Sequence, residues 1–126
     1  MLYVGHAFGV TYVFIEECIM STAPMSQVLN LQEMAAYQED AVVSRQITKA
    51  DAGNVTLFAF DKNQGLSEHT APFDALAYIL EGEAQVTISG KPFDLKVGDA
   101  IIMPANEPHA LKALQRFKML LTMIRS

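Results

Sequence analysis

The sequence predicts an all-β fold, a small antiparallel barrel or sandwich preceded by one short helix. Three observations carry this expectation. Apolar residues gather in short runs rich in Val, Ile, Phe and Leu, side chains that suit a pleated, half-buried surface. Turn-forming residues separate the runs at close and regular intervals, the pattern of a sandwich or barrel. Helix signals largely vanish after Tyr37.

Residues 1–24 open with the apolar, aromatic-rich MLYVGHAFGVTYVFI and end in the small polar stretch Ser21-Thr22-Ala23-Pro24. They read as an extension outside the core, disordered or the product of a misassigned start, with Met20 and Met25 as alternative starts. The sharper reading is an added edge strand, because VTYVF is β-prone. The domain proper is expected over residues 25–126. Asn30-Leu31-Gln32-Glu33 has the form of a capping box, with Asn30 accepting from the first turn and Glu33 reaching back, so a short helix is predicted from Leu31 to Tyr37.

Strands are predicted at Val42 to Thr48, Asn54 to Phe60, Leu76 to Leu80, Ala84 to Ser89, Asp99 to Met103 and Phe117 to Ile124. Turns fall at Ala52-Gly53-Asn54, Asn63-Gln64-Gly65, Glu81-Gly82-Glu83, Ser89-Gly90-Lys91-Pro92, Val97-Gly98-Asp99 and Ala105-Asn106-Glu107-Pro108. Alternation in Gln85-Val86-Thr87-Ile88-Ser89 turns Val86 and Ile88 inward. The Met-bearing run Phe117 to Ile124 has no cap and lies beside strand-like segments, so it reads as a closing strand rather than a helix.

At 126 residues, 51% of them hydrophobic, the chain suits one domain with one core. The formal charge is -5 and the Lys and Arg residues are scattered, so no basic stripe exists to neutralise phosphates or anionic lipid. Nucleic acid and membrane surfaces are therefore not expected partners. Cys18 is the only cysteine, which excludes an intramolecular disulfide, a paired-Cys zinc signature and a redox CxxC. That usage fits a reducing cytoplasm. The apolar opening carries no basic leader and runs into Glu16 and Glu17, so neither a secretory signal nor a membrane span is expected.

Gly98, Pro104 and His109 keep the spacing Gly, five residues, Pro, four residues, His, and His69 stands thirteen residues before the turn at Gly82. On these residues the stretch from His69 to His109 resembles the cupin superfamily, in its small single-domain bacterial form. The resemblance implies a jelly-roll barrel, a double-stranded β-helix. Asn106 stands where the family's second motif has glycine, which is tolerable because Asn accepts a left-handed backbone. Ala113 stands where the motif has asparagine. In the first motif Ala71 and Ala75 occupy the positions of the second histidine and the glutamate, so two of the family's four usual metal ligands are missing. Asn63 replaces the leading glycine. The fold hosts isomerases, dioxygenases, lyases, storage proteins and sugar-binding regulators, so membership alone selects no reaction.

Strand alternation gives His69, Ala71 and Ala75 one face, and the family pattern turns that face inward, where His109 would meet it from another strand. Two imidazoles can hold a divalent transition metal, but catalytic zinc sites usually supply three protein ligands, and non-haem iron sites two His and a carboxylate. Asp74 is the nearest substitute carboxylate if Pro72 or Phe73 bends the chain by one residue; plain alternation puts it, like Glu68, on the opposite face. Asp61 and Glu107 belong near the barrel mouth by inference. The bland alternatives are that His69 is a partly wet polar residue and His109 a hydrogen-bonded residue after Pro108. Cys18 is far from any motif, and Ser67, His69 and Asp74 lie too close in sequence to form a catalytic triangle.

The two alanines also widen and dry the pocket expected around the histidines, lined by Ala71, Ala75, Ala77, Met103 and Phe58 or Phe60. The first functional reading is a cytoplasmic module that binds or senses an unidentified small molecule, with or without one divalent transition metal. The alternative is a metal-dependent enzyme, a dioxygenase or isomerase, using His69, His109 and a carboxylate such as Asp74. A homodimer is expected, since open apolar sheet edges need cover, with Leu76, Tyr78 and Leu80 facing outward.

Overall fold

A computed structural model describes residues 22–125 and the backbone of two N-terminal strands at 2–7 and 10–15. Among the described residues eleven strands run in chain order: β1 (Leu2–Ala7), β2 (Val10–Ile15), β3 (Val42–Ala50), β4 (Gly53–Phe60), β5 (Gly65–His69), β6 (Asp74–Glu81), β7 (Glu83–Ile88), β8 (Lys91–Lys96), β9 (Ala100–Met103), β10 (His109–Ala113) and β11 (Phe117–Ile124). They form a seven-stranded sheet in the order β1-β2-β3-β4-β11-β6-β9 and a four-stranded sheet in the order β5-β10-β7-β8. Every pairing is antiparallel except that of β2 with β3, where Tyr12–Phe14 run parallel to Val42–Ser44. Cys18 and Met20 lie outside the described residues, as does the side chain of His6.

The main core lies between the inner faces of the two sheets. Alternation on β6 buries Ala75, Ala77 and Ile79, and on β11 Phe117, Met119 and Leu121. These meet Val86, Leu95, Leu111 and Ala113 of the small sheet in one cluster. Phe60 and Phe117 stack within it, with ring centroids 4.4 Å apart. Burial of such side chains stabilises by roughly 1.5–3 kcal/mol each. A second apolar layer lies on the outer face of the large sheet, where Ala35 from the segment before β3 packs on Val43, Leu57 and Ala59.

That segment differs from the helix predicted for Leu31 to Tyr37. Only a 3-10 turn forms, at Leu31–Glu33, and Asn30 makes no side-chain capping bond. The carbonyls that a helix would bond internally are used by the sheet beneath. Lys118 Nζ donates to the Gln32 carbonyl, and Arg45 Nη1 donates to the Met34 carbonyl at 3.4 Å. Tertiary bonding and packing of Ala35 and Tyr37 thus override the local helix signal.

Within residues 25–126 three strands fall where none was predicted: β5, β8 and β10. The two-residue turn of Ser89 (φ 49°) and Gly90 (φ 83°) joins β7 to β8, as the right-handed strand twist favours. Pro92 is accommodated because β8 is the edge of its sheet. The run Phe117 to Ile124 is a strand bonded on both sides, to β4 and to β6. Its ladder with β6 shifts by one residue, from Met119 opposite Ile79 to Lys118 opposite Glu81, leaving Leu80 as the extra residue of a bulge. No helix among the described residues is long and apolar enough to cross a membrane.

Candidate functional site

His69 ends β5 and His109 begins β10, and the ladder pairs them directly. Their rings meet edge to face, with centroids 4.4 Å apart and planes at 62°. His109 shares the inner face of β10 with Leu111 and Ala113 and is itself buried at 7% exposure. His69 is half-buried. Ile88 lies opposite His109 on its other side, so the pair is flanked by apolar surface.

Each imidazole is oriented by a backbone carbonyl two residues earlier. His69 Nδ1 lies 2.8 Å from the Ser67 oxygen, and His109 Nδ1 lies 3.1 Å from the Glu107 oxygen. A carbonyl can only accept, so each Nδ1 carries the proton when the ring is neutral and Nε2 carries the lone pair. This is the tautomer found in histidines that ligate through Nε2. Burial holds the His109 ring below the ordinary imidazole range; the Glu107 carbonyl opposes that shift and the neighbouring His69 adds to it. Neutral His109 is therefore the favoured form.

Two loops frame this end of the sandwich. Residues 70–73 carry the chain from β5 in the small sheet to β6 in the large one, and residues 104–108 carry it back from β9 to β10. The loops are bonded to each other: the Asn106 N–H donates to the Ala71 carbonyl at 2.8 Å, and the Ala105 N–H to Asp74 Oδ1 at 2.9 Å. Asn106 has φ 65°, so the asparagine at the glycine position of the motif occupies the left-handed region. Pro104 follows β9 directly. At the opposite end Gly82 turns with φ 76°, and any Cβ there would lie 1.7 Å from the Arg116 carbonyl oxygen. Gly98 has φ 89° with open space around it.

The expectation that His69, Ala71 and Ala75 share one strand face is corrected. His69 and Ala75 lie in different sheets, because the chain crosses over between them. Ala71 is half-buried in the crossover. Ala75, Ala77, Phe60 and Met103 are buried in the main core, with Phe58 packed against it. Asp74 is exposed and spends Oδ1 on Ala105. Glu68 is exposed. Glu107 is exposed and accepts from Ser89 Oγ at 3.1 Å. Asp61 follows β4 at the far end, where its carboxylate binds Arg116 Nε at 2.7 Å and the Asp40 N–H at 2.8 Å.

Among the described residues no group of three or more His, Cys, Asp and Glu gathers closely enough to hold a metal ion. The described chain thus offers two imidazoles and not the family's hard donor set of histidines and a carboxylate. A feature missed in the sequence is the row beside Ala75. Met103 of β9 and Met123 of β11 flank it in register, one on each side. The period-two spacing of Met119, Leu121 and Met123 was the available signal.

The family model for the cupin domain matches residues 56–124. A conserved protein of unknown function from Streptococcus pyogenes is 33% identical, with 86% of this chain and 98% of that chain covered and a TM-score of 0.78. A cupin superfamily protein from Desulfitobacterium hafniense is 29% identical, with 87% and 100% covered and a TM-score of 0.77. A cupin 2 conserved barrel domain protein from Leptotrichia buccalis is 39% identical over 77% of this chain but only 47% of that longer one, with a TM-score of 0.75. No curated protein matches. The jelly-roll arrangement of two packed sheets, the motif residues and the family model agree, and the chain belongs to the cupin family.

Proposed function

We propose that this protein binds a small molecule at the His69/His109 end of the sandwich, as a binding or sensing module. The observation that carries the reading is the paired imidazoles, whose Nδ1 atoms are both committed to backbone carbonyls. With Nδ1 turned to the backbone, the Nε2 lone pairs face apolar neighbours such as Ile88 and Leu111, a setting of few placed polar groups amid apolar surface that suits a small-molecule pocket. Ala71 and Ala75 take up less room at this end than a histidine and a glutamate would, which favours an organic guest. A cytoplasmic location and a homodimer belong to the same proposal.

The test is a thermal-shift screen of the intact chain against small organic acids, sugars and amines, run beside His69→Gln/His109→Gln. Compounds that raise Tm in the parent and not in the variant support the reading. Identical shifts in both proteins would sink it, because binding then occurs elsewhere.

A further inference from the structure

We infer that the ion this end of the fold selects is monovalent copper, held by His69 and His109 together with the thioethers of Met103 and Met123. The inference rests on the reading of the histidine pair as a ligand-binding point and adds the class of ion that the pair would take. Ala71 and Ala75 stand at two of the family's ligand positions, and the carboxylates nearby are exposed, with Asp74 Oδ1 accepting from the Ala105 N–H and Glu107 Oε1 from Ser89 Oγ.

What the ladder puts in their place is sulfur. Met123, Ala75 and Met103 stand side by side across β11, β6 and β9. Met103 is buried at 2% exposure, and Met123 is partly buried against the same core cluster. Adjacent strands lie about 4.8 Å apart, so the two Met backbones are separated by roughly 10 Å with only a methyl group between them. Two unbranched side chains of this length can meet over that methyl. Met103 ends the strand that leads through Pro104 and Pro108 to His109, and Ala75 begins the strand that follows His69. The four donors therefore stand at one end of the sandwich, where the crossover loops are bonded together.

Thioether and imidazole donors suit Cu(I), whereas Mn(II), Fe(II) and Zn(II) sites commonly draw on carboxylate, thiolate or more histidines. The bland use of the methionines is as core filler.

The experiment is anaerobic Cu(I) titration against a chromophoric Cu(I) chelator, beside Zn(II) titration, in the full chain carrying Cys18→Ser so that no thiolate supplies the sulfur. We expect one Cu(I) per chain and an X-ray absorption spectrum with both nitrogen and sulfur neighbours. Met103→Leu/Met123→Leu, near in volume to the parent, should weaken Cu(I) binding tenfold or more and erase the sulfur shell, with Zn(II) binding unchanged. If that variant does not fold, selenomethionine-labelled parent protein gives the same answer through a copper–selenium distance. Zn(II) binding without a Cu(I) preference, or copper with no sulfur or selenium neighbour, overturns the soft site and leaves the histidine pair standing. No ion bound by the parent overturns the metal inference, while identical small-molecule shifts in the parent and in His69→Gln/His109→Gln would retire the underlying reading separately.

Discussion

Lys118 Nζ lies 5.0 Å from the centroid of the Tyr37 ring, and this contact fastens the segment before β3 to the outer face of the large sheet. The same ammonium donates to the Gln32 carbonyl and stands 3.6 Å from Glu81 Oε2. Tyr37 Oη donates to Glu81 Oε1 at 3.1 Å, and Arg116 approaches the ring from another side at 5.3 Å. Burial first, and then the bond to Glu81, hold the Tyr37 phenol above its ordinary range.

Because Lys118 is buried at 7% exposure, Lys118→Met should lower the stability to urea by about 1–3 kcal/mol through loss of its charge-assisted bond to the Gln32 carbonyl and its contacts with Glu81 and Tyr37. Tyr37→Leu in the same background should not add its full single-mutant cost, giving a coupling of about 0.5–2 kcal/mol in a double-mutant cycle. Full additivity would show that the ring and the ammonium act independently.

The buried imidazole makes a pH prediction. The folded state holds His109 below the ordinary histidine value of about 6.5, so the unfolded chain takes up the proton first. The stability tied to its neutral form is present above about pH 6.5 and is lost as pH falls through the folded value. In an NMR titration the His109 ring should show a midpoint below that of an unfolded reference peptide. Urea midpoints of His109→Gln should fall less steeply than those of the parent as pH falls from about 6.5. Equal slopes would contradict the assignment.

Two glycines separate backbone strain from collision. Gly98→Ala should cost about 1–2 kcal/mol, the price of a left-handed residue in open space. Gly82→Ala meets that cost and also drives Cβ against the Arg116 carbonyl, so its unfolding midpoint should fall well below that of Gly98→Ala. Asn106→Gly should be neutral or mildly stabilising and Asn106→Ala destabilising by about 1 kcal/mol, given φ 65°. Equal effects at positions 82 and 98 would deny the close approach.

The outer face beside the edge strand β9 exposes Leu76, Tyr78 and Ile102, at 39%, 41% and 62%. Leu80 faces outward as expected but is covered there, partly buried in the layer that includes Ala35. If this patch joins two copies, Tyr78→Lys should halve the mass seen by light scattering. An unchanged mass would move any interface elsewhere.

The predicted strands correspond to six of the observed ones because each carries a run of large apolar side chains. The three that escaped within residues 25–126 are poor in that signal. Gly65–His69 offers Leu66 alone, Lys91–Lys96 is an edge containing Pro92, and His109–Ala113 buries alanine and a histidine beside Leu111. At the site, motif spacing identified the two histidines that the ladder pairs. It did not reveal that the chain changes sheets between His69 and Ala75, since alternation assumes an unbroken strand. Nor could it reveal the row Met123, Ala75, Met103, which joins residues distant in sequence.

The bulge at Leu80 works as a parity switch. Ala75, Ala77 and Ile79 face the core, and strict alternation would send Glu81 inward after them. The extra residue instead leaves Glu81 beside Lys118 on the outside. A three-nucleotide deletion at codon 80 would remove the bulge and restore plain alternation, with Glu81 following Ile79 directly and still facing Lys118. The ion pair is therefore expected to survive that deletion, and what is lost is the Leu80 side chain from the outer apolar layer.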